Sequence, residues 1–167
     1  MHDNIKKKIN IAAKRQPADL VIKNCKIVNV FTHEIIEGDI AISDGKIAAV
    51  GNYSGEKEVD AEGRYALPGF INSHIHIESS FVSPEEFSRL VVPHGTTTII
   101  ADPHEIVNVC GMDGFDYMVK AGKNAALDIK YMIPSCVPCT PWEHAGAVVD
   151  SKAISEVINQ DKVFGMG

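Results

Sequence analysis

The stretch Leu67-Pro68-Gly69-Phe70-Ile71-Asn72-Ser73-His74-Ile75-His76-Ile77-Glu78 decides how the chain is read. An apolar run leaves a Pro-Gly turn and ends in His-x-His, with a carboxylate two residues on. Side chains along an extended strand alternate with a period of two, so His74 and His76 point to one face. Two imidazoles on one face at a strand end can share a metal ion. Glu78 has the same parity. It could be a ligand, an orienter of a ligand, a substrate contact or a loop carboxylate near the next helix.

Outward from this stretch the chain changes character twice. Upstream, Ile5, Ile9, Ala12 and Ala13 recur at helical spacing between Lys6, Lys7, Lys8 and Lys14, which predicts a surface helix with a basic outer face, closed by Pro17. From Asp19 to Val59 the period shortens. Leu20–Ile22, Lys26–Phe31, Gly38–Ser43 and Lys46–Val50 read as strands, with Asp44-Gly45 as a two-residue hairpin turn. Residues 1–17 are therefore expected to be a helical segment and 18–67 a small, partial β-sandwich-like domain.

Downstream, strand and helix alternate. Phe70–His76, Thr96–Ala101 and Ile129–Ile133 read as strands, and Val163–Met166 begins a fourth. Ser83 and Pro84 mark a helix start, as N-cap and first helical residue. Helices are also expected over Asp113–Ala121 and Ser151–Asn159. This alternation predicts an α/β fold with a parallel sheet. Polar groups follow each strand: His74 and His76, then Asp102 and His104, then Ser135 and Cys136. In a βα barrel that end of the strands carries the active site, and a full barrel takes roughly 250 residues. Residues 68–167 hold the first three to four βα units of such a barrel. The chain is thus expected to be the N-terminal portion of something larger.

Asp102-Pro103-His104-Glu105 places three titratable groups in four residues, a candidate proton-transfer or substrate-binding cluster; Pro103 favours an extended Asp102, and continued extension gives Asp102 and His104 one parity. Cys136-Val137-Pro138-Cys139 has the spacing of a redox or zinc motif. Pro141 follows too closely for a clean helix start, and no second CxxC completes a zinc site, so a structured loop is expected. Cys25 and Cys110 read as core residues. Trp142-Glu143-His144 in the same loop could line a pocket or cover a barrel mouth.

The 167 residues are 45% hydrophobic and 23% charged, with net charge −6, which argues against a general nucleic-acid or anionic-membrane surface. No apolar stretch approaches the ~18 residues of a membrane span. The first ten residues lack the apolar core of a secretion signal, and four cysteines do not make a disulfide framework. A cytoplasmic location is expected.

Taken together, these motifs resemble the amidohydrolase superfamily. His-Ile-His-Ile-Glu-Ser-Ser at 74–80, Asp-Pro-His-Glu at 102–105 and Pro-Ser-Cys-Val-Pro at 134–138 are similar, more narrowly, to the bacterial and archaeal adenine deaminases. The resemblance implies hydrolysis of adenine to hypoxanthine and ammonia at a two-metal centre, with manganese or iron favoured and zinc the alternative. It maps His74 and His76 to metal ligands of the first strand. The remaining ligands would come from later strands that this chain does not hold, so activity of the isolated chain is not expected. Glu78, His104 and Glu105 become candidate catalytic groups, and Asp102, Ser135 and Cys136 candidate contacts to the purine. Cys139 stands where the family is expected to have a small residue. The resemblance leaves room for a homo-oligomer in the complete enzyme. Two other readings stay open: a non-catalytic subunit completed by a second chain, and an amidohydrolase acting on another cyclic amide, such as a hydantoin or dihydropyrimidine. With an open sheet edge and exposed core surface, the isolated chain is expected to aggregate or pack loosely.

Overall fold

A computed structural model describes residues 2–167; Met1, the first residue of the expected helical segment, lies outside them. The chain divides into two compact units, one ending at Pro68 and one running from Gly69 to Gly167.

The first unit is a helix, α1 (His2–Ala12), and a mixed sheet of β1 (Ala18–Asn29), β2 (Glu34–Ser43), β3 (Lys46–Gly51), β4 (Gly55–Asp60) and β5 (Tyr65–Ala66). The sheet order is β3-β2-β1-β4, with β5 also paired to β1. The Asp44-Gly45 turn forms as expected: both residues have positive φ, 50° and 68°, the conformation a tight hairpin needs and glycine adopts without strain.

Where the sequence suggested two strands, β1 is one. Its pairing with β2 is interrupted by a bulge between Ile22 and Cys25, and Asn24 sits there at φ 55°. The bulge is held by Asp39 on β2, which accepts the Asn24 N–H at 3.1 Å and pairs with Lys23 Nζ at 2.6 Å. The same carboxylate accepts the Tyr53 N–H at 3.1 Å. β4 and β5 were not expected. β4 is charged and largely exposed, and its parallel pairing with β1 defines it.

The face of α1 also differs from the reading. Ile5 and Ile9 are more than half exposed, while Ile11 is fully buried with Ala18, Val21 and Ala41. Lys7, expected on the outer face, is instead anchored to Asp19 at 2.8 Å and Asp44 at 3.6 Å. With Lys7 on the sheet side, Ile11 rather than the Ile5–Ile9 stripe joins the core.

The second unit is a parallel α/β sheet in chain order, β6 (Phe70–Ile75), β7 (Thr96–Ala101), β8 (Asp128–Ile133) and β9 (Val163–Met166). Between the strands run α2 (Pro84–Val91), α3 (His104–Ala121) and α4 (Ser151–Val157). One face of the sheet is buried under helices: Ile99, Ala101, Ile129, Tyr131 and Ile133 pack with Phe87, Phe115 and Met118. Phe115 and Tyr131 meet edge to face at 6.2 Å, a geometry that adds ~1 kcal/mol beyond area burial. The Tyr131 hydroxyl donates to the Met118 carbonyl at 2.7 Å, and burial raises its pKa well above the usual phenol range. β6 lies at the sheet edge, with Phe70 and Ile71 more than half exposed.

Ser83 caps α2 as expected, accepting the Glu86 N–H. α3 begins nine residues before its expected start, with a break at Gly111 (φ 61°, ψ −144°) that hid its first half from a periodic reading. Cys25 is buried as expected, but Cys110, beside that break, is exposed. Among the described residues no helix is long and apolar enough to cross a membrane.

Candidate metal centre

The C-terminal ends of β6, β7 and β8 lie side by side. The ladder continues one step past β7, where the Asp102 N–H donates to the Ile75 carbonyl at 2.8 Å. That bond sets Asp102 level with the end of β6, where His74 is the penultimate strand residue and His76 the first beyond it. His74 Nε2 and His76 Nε2 stand 3.2 Å apart, and with an Asp102 oxygen they form a group whose ligand atoms all lie within 4.8 Å of one another. Asp102 is only 7% exposed, and its Oδ1 has no hydrogen-bond partner.

This donor set fits a divalent cation. Two nitrogens each ~2.0–2.1 Å from one ion at a near-tetrahedral angle are about 3.3 Å apart, close to the separation seen here. A buried carboxylate oxygen with nothing to accept from is costly unless a cation or donor faces it. Sequence reasoning assigned Asp102 to substrate and missed it as a third member of this group. The missed signal was alignment: neighbouring parallel strands end level, so the first residue after β7 stands beside the His-x-His that straddles the end of β6.

Glu78 does not keep parity with the histidines. β6 ends at Ile75, and Ile77–Ser80 curl into a single 3₁₀ turn. The turn redirects Glu78 to the start of α3, where its Oε1 accepts the Ile106 N–H at 3.2 Å while Oε2 is buried without a partner. α3 has no capping side chain of its own, because Pro103 occupies its N-cap, so Glu78 caps it from a distance. Burial, with the neighbouring Glu105 charge, raises the Glu78 pKa against the pull of the Ile106 N–H.

Extension does not continue through Asp102–His104 either: Pro103 turns the chain and α3 starts at His104. The His104 ring still arrives 6.5 Å from that of His76, centroid to centroid. Its Nδ1 lies 3.5 Å from the Cys136 thiol. Burial, with the adjacent Cys139, raises the Cys136 pKa, so this thiol is no ready nucleophile. Glu105 approaches His76 Nδ1 at 3.2 Å and accepts from Ser79 Oγ at 2.7 Å. Burial opposes its ionisation, but Ser79, a backbone N–H, His76 and Glu78 outweigh it and hold the carboxyl below the ordinary glutamate value. Ser79 is a second contributor that sequence reasoning missed.

Ser135 donates to the Gly167 carbonyl at 2.6 Å. Cys139 is exposed and Cys136 half-buried. Trp142 is exposed, as are Glu143 and His144.

Residues 65–164 match the amidohydrolase family. The chain is 62% identical to adenine deaminase 2 of Desulfotalea psychrophila over 98% of its own length, and 54% identical to the adenine deaminase of Geobacillus kaustophilus over 99%. It spans 28% and 29% of the length of these two relatives. Among solved structures, D-hydantoinase from Thermus sp. matches 69% of this chain and 27% of its own at a TM-score of 0.55, with 24% identity, a likeness of fold alone.

Proposed function

Because the chain belongs to the amidohydrolase family, we propose that it is the N-terminal part of an adenine deaminase, hydrolysing adenine to hypoxanthine and ammonia in the complete polypeptide. The observation that carries the chemistry is the convergence of His74, His76 and an unpartnered Asp102 at adjacent strand ends. Identity to adenine deaminases over nearly the whole chain supports the substrate.

In this reading residues 68–167 are the first three to four βα units of a (β/α)8 barrel, 18–67 a small β domain and 1–17 a helical segment. His74, His76 and Asp102 would hold a divalent cation, manganese or iron by preference and zinc as the alternative, with further ligands from later strands. When bound, such a cation would supply Lewis acidity that lowers the pKa of a water for attack on C6 of the purine. Asp102, first read as a substrate contact, serves here mainly to hold that cation. His104 moves the proton toward the departing amine. Its Nδ1 faces Cys136, which leaves Nε2 for the exchange. Cys136 flanks the purine, with Ser135 at the margin. Glu78 acts by fixing the start of α3. The enzyme works in the cytoplasm.

The test is turnover by the complete polypeptide with added Mn²⁺, comparing adenine with hydantoin and dihydroorotate. Hypoxanthine and ammonia from adenine alone are expected. Turnover of a cyclic amide in place of adenine overturns the substrate, and no turnover of any of the three overturns the activity.

A further inference from the structure

The Glu105 carboxylate is held from several sides. One oxygen accepts from Ser79 Oγ at 2.7 Å. Its residue lies in the first turn of α3, where a negative charge is favoured by the helix N-terminus. The start of that helix is fixed by Glu78 through the Ile106 N–H. The second oxygen stands 3.2 Å from His76 Nδ1. That nitrogen is buried, and the contact lies off the line of a hydrogen bond, so it has no aligned partner. The other nitrogen of the same ring, Nε2, faces His74 Nε2 at 3.2 Å.

A neutral imidazole carries one N–H. With the proton on Nδ1, the Nε2 lone pair is free to bind a cation; with the proton on Nε2, that position is blocked. A carboxylate at Nδ1 selects the first tautomer and raises the basicity of Nε2. We propose that Glu105 is a positioning residue for His76, fixing the tautomer and ring orientation that present Nε2 beside His74, with Ser79 holding the carboxylate in place. This reassigns Glu105 from the candidate catalytic group it was in the sequence: one oxygen is anchored and the other faces a ligand ring, so it acts through His76. The inference rests on reading His74 and His76 as metal ligands.

The test uses the complete polypeptide and two readouts: Zn²⁺ affinity by competition with a chromophoric chelator, and the His76 tautomer by ¹⁵N-histidine NMR of the metal-free protein. Glu105→Ala is expected to weaken Zn²⁺ binding about 10–100-fold and to shift His76 from the Nδ1–H form to a mixture. Glu105→Gln keeps an acceptor oxygen and recovers part of both. Ser79→Ala gives a smaller change of the same kind, and Glu85→Gln, exposed at the start of α2, gives none. Unchanged affinity and tautomer in Glu105→Ala overturn the proposal. So does a Glu105→Gln variant as impaired as Glu105→Ala, which would make the effect one of packing. Failure of the unmodified protein to bind Zn²⁺ overturns the ligand assignment and this inference together. Neither readout depends on adenine turnover, so Zn²⁺ binding that responds to Glu105 supports the proposal whatever the substrate test returns.

Discussion

Each unit buries an aspartate to the same depth, and the two live in opposite surroundings. Asp39 in the first unit is 6% exposed and Asp102 in the second is 7% exposed. Asp39 accepts from Lys23 Nζ and from the Asn24 and Tyr53 N–H groups, so its charge is matched and its oxygens are used. Asp102 has an oxygen with no partner and two imidazoles for neighbours. A buried charge that is fully partnered holds a fold together, whereas one left short of partners has been kept for something the chain itself does not supply.

The largest effect should come from the matched site. Asp39→Ala strands Lys23 and two backbone donors at the β1 bulge, and should cost about 3–5 kcal/mol. Hydrogen exchange of the Asn24 and Tyr53 amides reads that loss locally. A cost below ~1 kcal/mol would mean that Asp39 is no more structural than Asp102.

Asp102→Ala should behave in the reverse manner. Stability should change by less than ~1 kcal/mol, because an unpartnered buried carboxylate contributes little to the folded state. Divalent metal affinity should fall more than about 100-fold, beyond what loss of an outer partner produces. Calorimetric titration with Mn²⁺ or Zn²⁺ checks the second half and denaturant unfolding the first. Strong destabilisation with unchanged metal affinity would erase the contrast between the two aspartates.

Acid should also separate the units. Burial opposes ionisation of Asp39, but Lys23 and the two N–H groups outweigh it and hold its folded pKa below the ordinary value of 3.8. A depressed carboxyl contributes stability above its unfolded pKa and loses it as pH falls through the folded pKa. The Asn24 and Tyr53 amides should therefore lose protection below about pH 4. Asp39→Asn should be less protected at neutral pH and should flatten that slope. A slope unchanged in the variant would assign the acid sensitivity to another carboxyl.

What the sequence made legible follows the same division between local and distant causes. Asp44-Gly45 and Ser83-Pro84 were readable because each is a local device whose residues dictate their own backbone. The continuity of β1 was not, since a left-handed Asn24 looks like a break until Asp39, fifteen residues away, is seen to hold it. β4 was hidden because Glu56, Lys57 and Glu58 carry no apolar period and pair only with a strand far upstream. At the candidate metal centre, His74 and His76 could be read from alternation. Glu78 could not, because a 3₁₀ turn breaks parity just before it. Asp102 and Glu105 reach the histidines from the strand-to-helix junction of the next βα unit, a relation that only the sheet register provides.

The smallest expected effect tests whether the local devices are as independent of the sites as this division implies. Gly45 has φ 68° and open space around the position of a Cβ, so Gly45→Ala meets no neighbour and suffers from backbone strain alone. The cost should be about 1–2 kcal/mol. It should fall on the β2–β3 hairpin, leaving protection of the Asn24 amide and divalent metal affinity unchanged. Those two readouts belong to Asp39 and Asp102, one in each unit. A Gly45→Ala variant that lowered both would mean that the two units share stability, and the aspartates would then have to be compared within one cooperative system.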